Sequence, residues 1–179
     1  MAVSCRRARA SRQELATFAR ERAVLRPGFE RLVAACQQAR APFVLCSAGL
    51  DVYIEPVLER LPRALRAHVQ VRCNGATCSP EGLAMTFHGA GTPLEADGCG
   101  ACGFCKAAIV RELQAAGYQV VGIGDGTSDR CLAPAADVLF ARGRLTEYCR
   151  ARAIPFTPFE TFDEVLAHLP PRAKRSLSG

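Results

Sequence analysis

Short apolar runs alternate with helical segments along most of the chain, and this alternation limits the fold more than any other feature. The runs that indicate strands span 43–49, 69–73, 118–124 and 138–141. Such runs are typical of strands buried on both faces, and the helical segments between them supply the crossovers that parallel strands need. The sequence therefore predicts an α/β fold with a parallel sheet.

Apolar residues at helical spacing fill the segments between these strands. Ser11 and Glu14 form a capping-box pattern. Pro27 suits the first turn of a second helix, and Gly117 suits a helix end. The expected helices span about 12–23, 27–39, 52–67, 105–116 and 145–153, with a shorter one over 129–137.

The length of 179 residues and the hydrophobic fraction of 49% suit one domain rather than two. We expect this domain to cover 1–170. An alternating, glycine- and threonine-rich stretch predicts a small β insertion over 74–98, followed by a cysteine-rich loop over 99–105. The residues after 170 are expected to form a disordered tail over 171–179.

The formal net charge is +6, and residues 1–40 account for all of it with nine arginines and three glutamates. Only two aromatic residues, Phe18 and Phe29, lie among these arginines, and such sparse interleaving favours a solvated helix face over a nucleic-acid site. No run approaches the roughly 20 apolar residues of a membrane span, and none resembles a secretory signal. We therefore expect a cytoplasmic protein that binds neither nucleic acid nor membrane; the sequence does not predict its oligomeric state.

The segment GIGDGTSD places Asp125 and Asp129 four positions apart at the end of a predicted strand. Two carboxylates that reach one point from a strand end and the next helical turn would suit Mg²⁺, which prefers hard oxygen ligands. The alternative is that Asp125 ends a turn and Asp129 caps a helix. Taken alone, the segment does not decide between these two interpretations.

Ser47 and Lys106 occupy matching positions, one at the end of a strand and the other at the start of a helix. A hydroxyl and an ammonium at such positions can both bind a phosphoryl group. Each residue by itself is equally compatible with a turn or a solvated helix start. The order serine, lysine, Asp-x-x-x-Asp is the informative feature.

These motifs resemble those of the haloacid dehalogenase superfamily, with Ser47 in VLCSAGLD, Lys106 in CGFCKAAIV and the aspartates in GIGDGTSD. The segments SAGLDVYIEPVL and ADVLFARGRLTEYCRARAIPFTPFETFDEV resemble its methionine-salvage phosphatases. The resemblance implies a Rossmann-like doubly wound sheet and Mg²⁺-dependent hydrolysis of a small phosphorylated metabolite. It implies that Asp125 binds the metal ion and that Asp129 either assists in binding this ion or orients Lys106. It also implies that Lys106 and Ser47 are catalytic. The substrate-binding residues would be Ser47, Ala48, Gly49 and Lys106.

The first motif of that superfamily, Asp-x-Asp-x-Thr, has no counterpart here, because no aspartate precedes Asp51. The central strand that carries it is therefore expected to be missing from the sheet. Three explanations remain open: an N-terminally truncated chain, which we favour, a degenerate member with a rebuilt sheet, or a half-site completed by another chain. For a complete chain we expect no phosphatase activity, and the alternative function is a non-catalytic phosphate- or metal-binding remnant of the fold.

Cysteines cluster before Lys106, where Cys99, Cys102 and Cys105 follow a C-x₂-C-x₂-C spacing. Either Cys73 or Cys78 could add the fourth thiolate to these three. The set that includes Cys78 is the candidate Zn²⁺ site. Two C-x₂-C pairs that share a cysteine are less specific than two separate pairs. Reduced loop cysteines are therefore the interpretation we favour over zinc.

Overall fold

The computed structural model describes residues 2–5, for which only the backbone is considered, 10–80, 82–87 and 104–169. Much of the predicted cysteine-rich loop and the predicted tail lie outside these residues. The chain divides into two compact units, Met1–Phe104 and Cys105–Gly179. The single domain expected over 1–170 stays a prediction, and each unit is described by itself.

The first unit combines one sheet with four helices among its described residues. Its strands pair in the order β1-β4-β3-β2. The elements in chain order are β1 (Ala2–Cys5), α1 (Arg12–Arg22), α2 (Phe29–Gln38), β2 (Phe43–Leu50), α3 (Asp51–Leu58), α4 (Arg63–Arg66), β3 (Val69–Ser79) and β4 (Gly82–Thr86).

This sheet is mixed. β2 and β3 are parallel, with Phe43 opposite Val69, and β3 then continues into an antiparallel hairpin with β4. β1 pairs antiparallel with the outer side of β4, where Ala2 lies opposite Thr86. The strand predicted over 69–73 is therefore longer than its apolar run, because it also forms the first arm of the hairpin.

Helix α2 packs against β2 through its apolar face. Its Leu32 and Val33 are buried. The ring of Phe29 meets that of Phe43 edge to face, with centroids 5.7 Å apart. Such burial contributes roughly 1.5–3 kcal/mol for each large apolar side chain.

The second unit is built on a parallel sheet of order β5-β6-β7. Its core includes Leu139, Ala141, Leu145 and Cys149. Its elements are α5 (Lys106–Ala115), β5 (Val121–Gly124), a 3₁₀ turn (Thr127–Asp129), β6 (Val138–Ala141), α6 (Gly143–Ala151), β7 (Thr157–Pro158) and α7 (Phe162–Ala167).

The parallel pairings confirm the predicted α/β class. Two helix predictions were wrong in extent. The helix expected over 52–67 breaks before Pro62, which lacks an N–H and disfavours helix in the residue before it. The one expected over 129–137 is reduced to a 3₁₀ turn and further turns, since Pro134 interrupts the segment. Within the described residues, no helix combines the length and apolar character needed to cross a bilayer.

Candidate active site

Asp129 is the buried centre of the predicted Asp-x-x-x-Asp pair, with 4% of its surface exposed. Its Oδ2 accepts hydrogen bonds from the backbone N–H groups of Asp125, at 3.0 Å, and Gly126, at 2.9 Å. Its Oδ1 accepts from the ammonium of Lys106 at 2.5 Å. This one carboxylate therefore fixes the turn after β5 and also neutralises a buried lysine.

Gly124 makes this arrangement sterically feasible. A Cβ built at Gly124 would lie 2.8 Å from both Cβ and Cγ of Asp129, closer than real Cβ contacts allow. Gly126, by contrast, has nothing nearer than 3.8 Å at the same position. The first glycine of the GDG segment is thus required by the close approach of Asp129.

Lys106 is the first residue of α5, and its side chain is 10% exposed. An ammonium carries three N–H donors, of which one is given to Asp129. The remaining donors can bind phosphoryl oxygens as a charge-assisted pair. The predicted link between Asp129 and Lys106 is present as a buried ion pair.

Asp125 differs from Asp129 because its side chain is 59% exposed. Its Oδ2 lies 3.5 Å from Nη1 of Arg142. Arg142 in turn places Nη2 3.0 Å from Oε2 of Glu160. The structure therefore brings together Lys106, Asp125 and Asp129, and adds Arg142 beside them.

The sequence reasoning missed Arg142 and Glu160, although the end of the strand predicted over 138–141 carries a signal for Arg142. Asp125 directly follows β5, Arg142 directly follows β6, and Glu160 comes two residues after β7. Charged residues after parallel strands point to the edge where ligands bind in α/β sheets. The two-residue β7, which includes Pro158, shows no apolar period that would have marked Glu160.

Ser47 lies in the first unit, where the β2–β3 ladder becomes irregular. Ser47 pairs with Cys73, but the next pair joins Leu50 to Asn74, so Ala48 and Gly49 bulge out. The hydroxyl oxygen of Ser47 accepts from the backbone N–H of Gly49 at 3.0 Å. This hydrogen bond uses Ser47 as an acceptor and does not engage its O–H.

Asn74 is the residue that fixes this bulge, and the sequence reasoning also missed it. It is fully buried, and its Nδ2 donates to the carbonyl of Ala48 at 2.9 Å. A buried amide without partners is costly, so the bulge and Asn74 stabilise one another. A buried asparagine within an apolar strand is the sequence signal that could have identified it.

Asp51, the first aspartate of the chain, is committed to structure. Its Oδ1 accepts from the backbone N–H groups of Val52, at 2.8 Å, and Ala76, at 2.9 Å. Its Oδ2 accepts from Nη2 of Arg12 at 3.1 Å, and this hydrogen bond raises the pKa of Arg12. Asp51 therefore ties α1, α3 and β3 together and does not offer a free nucleophilic oxygen.

The zinc prediction lies largely outside the described residues, which do not include Cys99 and Cys102. Among the residues that are described, no group of three or more His, Cys, Asp or Glu is placed to hold a metal ion. Burial, followed by the charges of Asp51 and Glu55, raises the pKa of Cys73. Cys73 is thus disfavoured as a thiolate donor, and zinc stays a prediction.

A family model described as haloacid dehalogenase-like hydrolase matches residues 2–134. The chain belongs to this family. The match covers Ser47, Lys106, Asp125 and Asp129, so it includes both the serine bulge and the turn around Asp129. It confirms the family resemblance inferred from the order of these motifs.

Curated relatives are similar over most of the chain. A 2-hydroxy-3-keto-5-methylthiopentenyl-1-phosphate phosphatase from Exiguobacterium sibiricum is 34% identical over 160 residues, which cover 88% of this chain and 69% of the relative. A protein of the same name from Geobacillus thermodenitrificans is 35% identical over 163 residues, covering 89% and 70%. The chain thus spans a little over two thirds of the length of these relatives.

Solved structures share the fold. A probable phosphoserine phosphatase from Vibrio cholerae matches with a TM-score of 0.60 at 22% identity, covering 89% of this chain and 46% of that one. A phosphoserine phosphatase described as a phospho-aspartyl intermediate analogue matches with a TM-score of 0.60 at 14% identity, covering 89% and 76%. This chain therefore has the Rossmann-like α/β fold of the family.

Proposed function

We propose that the protein is a Mg²⁺-dependent phosphatase that hydrolyses the phosphoric monoester of a small metabolite. The observation that carries this proposal is the buried Lys106–Asp129 pair beside an exposed Asp125. The Lys106 ammonium is held in place by Asp129, and the exposed carboxylate of Asp125 could bind Mg²⁺ beside it. Together these two positive charges would stabilise the negative charge that develops on a phosphoryl group. Such stabilisation supplies most of the catalysis in phosphoryl transfer.

The residues would divide the work according to their contacts. Lys106 would bind phosphoryl oxygens with the donors that Asp129 does not use. Ser47 would donate its O–H to a phosphoryl oxygen, and Ala48 and Gly49 would shape the backbone around it. A Cβ at Gly49 would lie 2.5 Å from the hydroxyl oxygen of Tyr53 and 3.1 Å from Oγ of Ser47, so a side chain there would have to displace the Tyr53 ring.

Asp125 can supply one oxygen ligand of the kind that Mg²⁺ prefers. Its carboxylate is exposed and hard, whereas both oxygens of Asp129 already accept hydrogen bonds. We therefore propose Asp125 as the metal ligand and Asp129 as the residue that orients Lys106. When bound, the ion would neutralise charge on the phosphoryl oxygens.

The substrate we propose is 2-hydroxy-3-keto-5-methylthiopentenyl-1-phosphate, the compound in the names of the curated relatives. With this substrate the protein would act in methionine salvage, and we propose that it does so in the cytoplasm. Identity of 34–35% over nearly the whole chain supports this choice over phosphoserine, which is named only in fold relatives.

A second candidate is a domain that binds a phosphate ester without cleaving it. The sequence contains no Asp-x-Asp pair, and all contacts of Asp51 are structural. A covalent step needs a free carboxylate, so this observation favours binding without turnover.

Release of inorganic phosphate from the proposed substrate, measured with Mg²⁺ and with a chelator, separates the two candidates. The enzyme is expected to release phosphate only with Mg²⁺, and Asp125→Asn should abolish release while Asp163→Asn, in the first turn of α7, keeps it. The binding domain would release none, yet phosphate would raise its melting temperature, and Lys106→Met would remove that rise. If the protein neither releases phosphate nor shows a phosphate-dependent rise in melting temperature, both candidates are contradicted.

A further inference from the structure

The register of the second sheet places three charged residues along one edge. Gly124 pairs with Ala141, so the residues that follow them, Asp125 and Arg142, lie side by side. Ala141 also pairs with Pro158, and Glu160 comes two residues later. The carboxyl ends of three adjacent parallel strands therefore carry an acid, a base and an acid in that order.

Arg142 connects the two acids with its two terminal nitrogens. Nη1 lies 3.5 Å from Asp125, and Nη2 lies 3.0 Å from Glu160. The arginine side chain is 22% exposed, and its Nε is buried with no hydrogen-bond partner among the described residues. The group is thus held against the protein and shared unequally, with the shorter contact to Glu160.

This sharing matters for any cation that binds Asp125. A guanidinium near a carboxylate competes for it electrostatically and also restrains its orientation. Glu160 attracts the same guanidinium from the opposite side and so weakens its hold on Asp125. The affinity of Asp125 for a divalent cation should therefore depend on a residue that does not touch Asp125 directly.

We propose that Arg142 is a positioning residue that competes with the divalent cation for Asp125, and that Glu160 sets the strength of this competition. The inference rests on the proposed role of Asp125 as metal ligand. It adds to that role a control over metal affinity through an arginine shared between two strand ends.

Two substitutions and their combination should have opposite or vanishing effects on Mg²⁺ affinity. Arg142→Gln removes the competing cation and should tighten Mg²⁺ binding, whereas Glu160→Gln leaves Arg142 to Asp125 alone and should weaken it. Because these groups are partly exposed, each change should be about twofold to fivefold. In the Arg142→Gln background, Glu160→Gln should have little further effect, since its influence passes through the arginine.

The experiment is a titration of Mg²⁺ against the melting temperature of the 179-residue chain, from which an apparent dissociation constant follows. Arg144→Gln and Glu147→Gln, both exposed on α6, remove the same charges elsewhere and control for net charge. Far-ultraviolet circular dichroism without Mg²⁺ checks that every variant is folded. Asp125→Asn should abolish the Mg²⁺-dependent rise.

The outcomes separate this inference from the function on which it rests. Opposite shifts that collapse in the double variant support it. Asp125→Asn could abolish the Mg²⁺-dependent rise in melting temperature while Arg142→Gln and Glu160→Gln leave the Mg²⁺ affinity unchanged or have simply additive effects. This result would overturn the competition but leave the metal role of Asp125 standing. No rise up to the millimolar range, or a rise that Asp125→Asn leaves intact, would overturn both.

Discussion

At the scale of single residues, the buried pair of Lys106 and Asp129 decides what the turn after β5 can be. Removing two charges from water is costly, and the cost is offset only when each has the other and further hydrogen bonds. Asp129 meets this condition with the Lys106 ammonium and the N–H groups of residues 125 and 126. Neither partner is therefore dispensable by itself.

Breaking this pair from either side should be severe. Asp129→Asn leaves a buried lysine uncompensated, and Lys106→Met leaves a buried carboxylate; each should lower the free energy of unfolding by about 3–5 kcal/mol. The double variant should lose clearly less than the sum of the two. Urea unfolding of all four proteins measures this coupling, and additive losses would mean that the two side chains do not interact.

The two glycines beside Asp125 should respond differently to a methyl group. Gly124→Ala forces Cβ against Asp129, so it should cost about 1–3 kcal/mol of stability and disturb the pair with Lys106. Gly126→Ala meets only ordinary van der Waals contacts in extended backbone and should stay within about 0.5 kcal/mol. Equal melting temperatures for the two variants would contradict the close approach at Gly124.

At the scale of elements, local signals located most helix boundaries to within two residues but missed the interruptions within two predicted helices. The capping box of Ser11 and Glu14 is present as predicted, with the Glu14 N–H 3.1 Å from the Ser11 hydroxyl oxygen. The strand over 138–141 was also correct. The break before Pro62 and the reduced helix after Asp129 were missed because apolar spacing continues through both, while proline removes the backbone bonds that a helix needs.

The start of α1 should depend on pH as well as on Ser11. Ser11→Ala removes the cap and should cost about 1 kcal/mol. The backbone hydrogen bond from Ser11 lowers the pKa of Glu14, so this stabilisation is present above the usual glutamate pKa and is lost as pH falls through the lowered value. Acid unfolding of the wild type and of Glu14→Gln tests this, since the glutamine variant should lack that part of the pH dependence.

At the scale of the whole molecule, the chemistry-bearing residues are divided between the two units. The serine bulge belongs to one, and Lys106, Asp125 and Asp129 belong to the other. The sequence proposed all four because short motifs at strand ends and helix starts are local. It did not identify Asn74 or Arg142, since their contacts depend on the pairing of strands that are distant in sequence.

Thiol reactivity gives a test that covers both units. Burial raises the pKa of Cys36, Cys73 and Cys149, so their thiolates are scarce at neutral pH, and Cys149, which is fully buried, should alkylate slowly. Protonated thiols favour the folded state, so their stability contribution should be lost as pH rises through the raised values. Mass spectrometry of iodoacetamide-treated protein would contradict this if Cys149 were among the first residues labelled.

The dual attachment of Asp129 also restricts how this turn can be redesigned. Exchanging the charges of the pair, with Lys106→Asp and Asp129→Lys, would preserve net charge but leave the N–H groups of residues 125 and 126 facing an ammonium that cannot accept hydrogen bonds from them. The two arrangements of charge are therefore not equivalent, because the backbone N–H groups need a hydrogen-bond acceptor at position 129. Libraries built at this position should yield folded proteins mainly when an acceptor side chain is retained.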